Sequence, residues 1–260
     1  MRPLSVVVIT YNEEKNIGRC IDSVKVLADE VIVVDSYSED DTVQIATAKG
    51  ATVKQSVFDG YINQKNKAIK LANHNLVLLL DADEAVDIAL ACSIQKAKEG
   101  SGLAYTMNRC NFFFGRFIRH GLWYPDRKLR LFDKRYGHCG GFNPHDRIVM
   151  NEGIAATHLK GDLEHYTFDN MDAYLDRNDA VSHIAAQSLY EAGVRRSWGR
   201  GILSPVWTFI NGYILRMGFL DGYRGWLIAV HTTHQSYMKY YRLRRLNRRK
   251  LEQVAWEVRS

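Results

Sequence analysis

Three acids fall within four residues at the end of the run Leu76-Val77-Leu78-Leu79-Leu80-Asp81-Ala82-Asp83-Glu84. Oxygen ligands gathered in this way suit a hard divalent cation such as Mg²⁺ or Mn²⁺, which keeps several waters and shares its other positions with phosphate oxygens. The same acids would serve equally as a solvated turn that caps the following helix. Further acids and polar side chains follow other apolar runs: Thr10-Tyr11-Asn12-Glu13-Glu14 after the first, and Asp35 with Ser36-Tyr37-Ser38-Glu39-Asp40-Asp41 after the second. Arg127 and Arg130 could hold a diphosphate through bidentate guanidinium contacts, or could be two surface arginines. His138, Cys139 and His145 lack the paired spacing of a zinc site.

These residues need a scaffold. The apolar run ending at Asp81 reads as a parallel strand buried on both faces, with its acids at the C-terminal mouth where open α/β sheets bind ligands. Residues 4–9 and 31–34 repeat the pattern, each followed by a polar loop and a helical spacing: Ile17, Ile21 and Val24 after the first, Gln44 and Ile45 after the second. Residues 51–55 make a short third strand, and residues 63–72 a helix carrying Lys65, Lys67 and Lys70. Alternation of this kind predicts right-handed βαβ crossovers and a mostly parallel sheet. A helix over 86–98, a strand over 102–108, an aromatic and basic stretch over 111–125, a half-exposed strand over 126–132, a loop over 137–141 and a strand over 147–150 follow.

Residues 170–190 predict a long amphipathic helix. Residues 202–219 are apolar but interrupted by Pro205, Asn211, Gly212 and Arg216, short of the roughly 20 clean residues of a spanning helix. With a second helix over 226–241 and the cluster Arg242, Arg244, Arg245, Arg248, Arg249 and Lys250, they read as an interfacial hairpin, on a membrane or on a second subunit. The net charge of +6 is therefore a local patch. Four well-separated cysteines fit a reducing compartment, and the first apolar run is too short for a signal peptide, so export is not expected.

Thr10-Tyr11-Asn12-Glu13-Glu14, Val34-Asp35-Ser36-Tyr37-Ser38-Glu39-Asp40-Asp41-Thr42 and Leu80-Asp81-Ala82-Asp83-Glu84, in that order and spacing, resemble the family 2 glycosyltransferases. The stretches 111–121, Trp123-Tyr124-Pro125-Asp126-Arg127-Lys128-Leu129-Arg130-Leu131-Phe132 and Gly218-Phe219-Leu220-Asp221-Gly222 resemble the branch with lipopolysaccharide core glucosyltransferases. The resemblance implies an α/β GT-A fold over residues 1–165, with a donor half to about 100 and an acceptor half beyond, then a helical region over 166–260. It also implies a nucleotide-sugar donor, a divalent metal and inversion at the anomeric carbon. Tyr11, Glu13 and Asp35 would contact base and ribose, with Asp81 on the uridine side and Asp83 on the metal. Thr10, Asn12, Lys65, Ala82, Arg127 and Arg130 complete the donor set. Asp146 in Pro144-His145-Asp146 matches the general base, where many relatives carry Glu, and Glu152 is the fallback. Trp123, Tyr124 and His145 would meet the acceptor.

The expectation is an inverting hexosyltransferase at the cytoplasmic face of the inner membrane, held through residues 202–250. It would move glucose from UDP-glucose to a lipid-linked glycan such as a lipopolysaccharide core sugar, as a monomer or homo-oligomer. Two rivals stand beside it. A phosphotransferase or phosphohydrolase would use Asp81 as nucleophile. A binding module for membrane or nucleic acid would use the basic tail but leave the acids at the strand mouths without a role, so nucleic acid is not expected as a partner.

Overall fold

The computed structural model describes residues 1–142, 145–168, 171–194 and 198–257. Strand β1 (Leu4–Thr10) is buried at every position and lies between β2 (Glu30–Asp35) and β4 (Leu76–Asp81), both parallel to it, with β3 (Thr52–Gln55) outside β2. Burial on both faces explains why these strands are continuous apolar runs. Val6 and Val8 pack on one face with Leu78, Leu80, helix α1 (Ile17–Val24) and helix α4 (Ile88–Glu99), whereas Val7 and Ile9 pack on the other with Val77, Leu79 and α3 (Tyr61–Leu71). Helix α2 (Thr42–Ala48) joins β2 to β3. The register sets Thr10 beside Asp35 and Ile9 beside Asp81, so the polar strand ends share one level.

This is the GT-A-like α/β arrangement, and beyond β4 its sheet continues in a different sense. Strand β8 (Asp126–Asp133) pairs antiparallel with β4 and with β6 (Ala104–Phe113). Next come β11 (Thr157–Phe168) and, antiparallel to it, β5 (Glu84–Val86). Val86, expected to open a helix, ends β5 instead. The helix starts two residues later, where the Asp87 side chain accepts from Leu90 N at 2.6 Å. Residues 137–141, expected as a loop, belong to β9 (Gly137–Phe142), whose ladder with β10 (His145–Met150) supplies the regularity that its glycines do not. Gly161 has φ +100°, and a Cβ there would stand 2.1 Å from Leu90 N, so glycine lets β11 pass close to the start of α4.

The chain divides into two units, one of residues Met1–Asn111 and Pro125–Thr167, the other of Phe112–Tyr124 and Phe168–Ser260. The segment 112–124, placed by sequence with the acceptor half, thus belongs with the C-terminal helices. Within that second unit, Phe113, Ile118, Tyr174 and Ile228 form a core joined by Trp123 and Met171. Strand β7 (Arg116–Phe117) folds back on the end of β6. The helices are α5 (Met171–Glu191), α6 (Trp198–Phe209) and α7 (Gly222–Glu257), the last extending well past both ends of the expected helix. A π-helical turn (Ile210–Leu215) and a 3-10 turn (Gly218–Asp221) connect α6 to α7. Asp221 is buried and accepts from Arg119 N at 3.1 Å and His120 N at 2.8 Å. A Cβ on Gly225 would lie 1.8 Å from Gly218 O, so the Gly218–Asp221 motif is a close-packed structural joint. No described helix is long and apolar enough to cross a membrane.

Candidate active site

In the first unit the three acids of the opening motif have three different surroundings. Glu84 is completely buried. Its Oε2 accepts from Asp81 N at 3.0 Å, and its Oε1 accepts from Arg130 Nη2 at 2.7 Å. Asp81 places Oδ2 at 2.7 Å from Arg130 Nη2 and Oδ1 at 2.9 Å from Lys65 Nζ. Lys65 Nζ also reaches Asp146 Oδ2 at 2.8 Å. The result is a chain of alternating charge, Asp146, Lys65, Asp81, Arg130, Glu84, in which each buried cation lies between two carboxylates. Arg109 extends it weakly, at 3.9 Å from Glu84 and 2.8 Å from Asp126.

Burial works against charge on Asp81, but Arg130 and Lys65 outweigh it and hold its carboxyl far below the usual carboxylate range. Arg130 is likewise held in its charged form: burial opposes charge, and Glu84 and Asp81 outweigh burial. Both Asp81 oxygens are engaged, which argues against a free nucleophile there. A depressed carboxyl adds stability that is complete above the unfolded value of about 4 and is lost as pH falls below it. Asp81→Asn should therefore cost about 3 kcal/mol at neutral pH, the scale of a broken buried pair. The gap from the native protein should narrow by about 1.4 kcal/mol per pH unit below about pH 4. Urea unfolding across pH measures this, and a gap of constant size would refute it.

Asp83 is different. Its side chain is 23% exposed, and its Oδ2 lies 3.2 Å from His165 Nε2. Sequence reasoning missed this histidine. It stands on β11 opposite Glu84, a neighbour created only by the β5–β11 pairing. His165 Nδ1 is 2.6 Å from Asn111 Oδ1 and also within reach of Thr167 Oγ1. With Nδ1–H donated to the Asn111 oxygen, Nε2 turns a lone pair toward a carboxylate oxygen. Two acceptors at that distance need a proton or a cation between them. A proton makes this an ordinary ion pair; in its place Asp83 and His165 could hold a divalent ion that takes its other ligands from water and phosphate. Among the described residues no group of three or more His, Cys, Asp and Glu side chains is placed to hold a metal ion.

Thr10 is buried at the end of β1 with Oγ1 unpartnered, and Ala82 is buried between the two aspartates. Tyr11 is exposed. Asn12, at φ +51°, donates its N–H to Ser38 Oγ and accepts from Glu39 N, which ties the first polar loop to the second. Glu13 donates its N–H to Thr42 Oγ1 and accepts from Asn16 Nδ2. Asp35 is fully buried. It accepts from Ser38 N and Oγ at 3.0 and 2.5 Å and from Gln55 Nε2 at 3.2 Å, so it shapes the loop through contacts that an exposed ligand-binding acid would not make.

The two arginines of the expected clamp differ in their surroundings. Arg130 is the extra residue at a β-bulge, where Tyr105 opposes Leu131 and Thr106 opposes Leu129; the bulge turns its guanidinium inward to Asp81 and Glu84. Arg127 is exposed on the same strand. Asp146 keeps Oδ1 free of hydrogen-bond partners among the described residues. The thiol of Cys139, 3.9 Å from its Oδ2, is pushed up to about 11 by burial and by that carboxylate. Glu152 is exposed in the turn after β10, outside the charge chain. In the second unit Trp123, expected to face an acceptor, packs its ring against Phe113 and Tyr174 at centroid distances of 5.2 and 5.6 Å, because that unit needs it as core. Tyr124 is half-buried. The His145 side chain and Pro144 lie outside the described residues.

The family model described as Glycosyl transferase family 2 matches residues 5–156. Over 259 residues the chain is 29% identical to an uncharacterised glycosyltransferase of Rickettsia typhi, covering 95% of this chain and 88% of that protein. It is 26% identical over 252 residues to the lipopolysaccharide core biosynthesis glycosyltransferase LpsC of Rhizobium meliloti, covering 92% and 93%. Among solved structures, glucosyl-3-phosphoglycerate synthase from Mycobacterium tuberculosis in complex with Mn²⁺, UDP and glucosyl-3-phosphoglycerate is similar over 75% of this chain and 82% of that one, with 20% identity and a TM-score of 0.48.

Proposed function

The chain belongs to glycosyl transferase family 2, and from that premise we propose that it is an inverting hexosyltransferase using a UDP-sugar, UDP-glucose in the first instance, and a lipid-linked glycan acceptor such as a lipopolysaccharide core sugar. The observation that carries the reading is the Asp83–His165 pair beside the Asp146–Lys65–Asp81 chain, at the mouth of the parallel strands. A core-biosynthesis enzyme among the relatives supports the acceptor class. The donor would sit against Thr10, Tyr11, Asn12, Glu13 and Ala82, in the loop geometry set by Asp35.

Transfer is one displacement. The acceptor oxygen forms a bond to the anomeric carbon, the bond from that carbon to the diphosphate oxygen breaks, and the hydroxyl proton passes to Asp146 Oδ1. Lys65 orients Asp146 from its other oxygen and leaves Oδ1 to the acceptor. A divalent cation held by Asp83 and His165 would supply Lewis-acid stabilisation of the departing diphosphate. Asp81, fixed by two cations, positions Lys65 and so acts on the acceptor side only through it. The protein would be held peripherally at the cytoplasmic face of the membrane through residues 202–250.

Thermal stability with UDP, GDP, ADP and CMP, each with and without Mn²⁺, tests the donor site, because a ligand that binds only the folded state stabilises it by mass action. A shift of several degrees is expected with UDP and Mn²⁺ together and not with either alone. An equal response to all four nucleotides would overturn the uridine reading, and no response to any of them would overturn the transferase reading.

A further inference from the structure

The second unit exposes large apolar side chains in one short stretch: Leu215, Met217, Phe219, Leu220 and Tyr223, with Trp207 and Trp226 on the flanking helices. An apolar loop that is free to move would fold these inward. Here the backbone holds them out. Met217 has φ +54°, a conformation that a non-glycine residue adopts only when its surroundings impose it. Gly218 passes so close to Gly212 that a Cβ would lie 2.6 Å from its carbonyl oxygen, and the buried Asp221 pins the turn to the backbone of Arg119 and His120.

Charge identifies what could cover this face. Residues 195–251 carry twelve Lys and Arg against a single acid, Asp221, which is buried. Arg216 is exposed inside the apolar turn itself. A second copy docking the same patch would bring Arg216 of each copy toward the other, and the one acid of the turn, Asp221, is buried. An anionic bilayer meets both features, since it offers acyl chains to the apolar side chains, phosphates to the arginines and an interfacial zone to Trp and Tyr.

We propose that the turn carrying Leu215, Met217, Phe219, Leu220 and Tyr223 is a rigid wedge that enters the boundary between headgroups and acyl chains of an anionic membrane, with Arg216 at the level of the phosphates. This deepens the peripheral membrane association proposed above and rests on that reading. It assigns penetration to the turn, and attraction to the membrane surface without insertion to the basic end of α7.

The test is co-flotation of the full-length protein with vesicles of phosphatidylglycerol and phosphatidylcholine or of phosphatidylcholine alone. In parallel, tryptophan quenching by lipids brominated on the acyl chain is measured on the native protein. Native protein should float with the anionic vesicles and be quenched by them. Leu215→Ser/Leu220→Ser, two exposed positions, should bind at least about tenfold more weakly while keeping the native melting temperature and the shift with UDP and Mn²⁺. Unchanged binding by that variant would overturn the wedge, as would binding of the native protein without quenching. No binding to anionic vesicles, or a native dimer that the two substitutions dissociate, would also overturn it and, for the dimer, give the face to a second copy. The nucleotide shift is scored separately, so loss of the membrane inference leaves the donor-site reading standing.

Discussion

Asp83→Asn is expected to abolish the part of the UDP-induced stabilisation that depends on Mn²⁺ and to lower transfer by about three orders of magnitude or more, the equivalent of several kcal/mol of lost charge stabilisation. The expectation follows from the contrast among the acids. Both Asp81 oxygens meet buried cations and both Glu84 oxygens are engaged, one by Arg130 and one by the Asp81 backbone N–H, whereas among the described residues the Asp83 carboxylate faces His165 and the solvent side. His165→Ala should have a smaller effect, about 10- to 100-fold, because the carboxylate remains and only the nitrogen ligand is lost. A full Mn²⁺-dependent shift in Asp83→Asn would remove this residue from the metal site.

The second large effect belongs to Asp146. Asp146→Asn is expected to reduce UDP release from UDP-glucose in the presence of lipopolysaccharide core oligosaccharide by about 10³-fold, within the range of a lost general base. The nucleotide shift with Mn²⁺ should survive, since Asn is isosteric and Lys65 keeps Asp81 as its partner. Glu152→Gln should stay within about twofold of the native rate, as an exposed turn residue away from the charge chain. Full transfer by the Asp146 variant, or its loss in the Glu152 variant, would exchange the two assignments.

The parallel half of the sheet was legible because strands buried on both faces leave continuous apolar runs, and because the loops after them collect polar residues at one edge. The antiparallel half was less so. Its strands alternate, β9 is rich in glycine, and what makes it a strand is the β10 ladder, not any residue of its own. The resemblance implied a division of labour between Asp81 and Asp83, but the contacts that separate them were not legible. That division depends on Lys65 from α3, on Arg130 turned inward by one extra residue in β8, and on His165 brought across from β11. The last two are facts of strand register, where a shift of one residue would reverse the face, and the first depends on how α3 packs on the sheet. Trp123 shows the same limit from the other side. The resemblance implied an acceptor contact for it, yet the small core of its unit claims the ring.

Helix α7 runs from Gly222 to Glu257, and at about 1.5 Å per residue its arginines near position 244 stand roughly 30 Å along the axis from Tyr223. Charges in physiological salt feel one another over only about 8 Å. If the helix stood upright with its apolar start in a bilayer, its basic end would be out in bulk solvent and electrically blind to the lipid. A surface that engages both ends must lie alongside the helix, which would make α7 a ruler that sets the tilt of the second unit as well as its attachment.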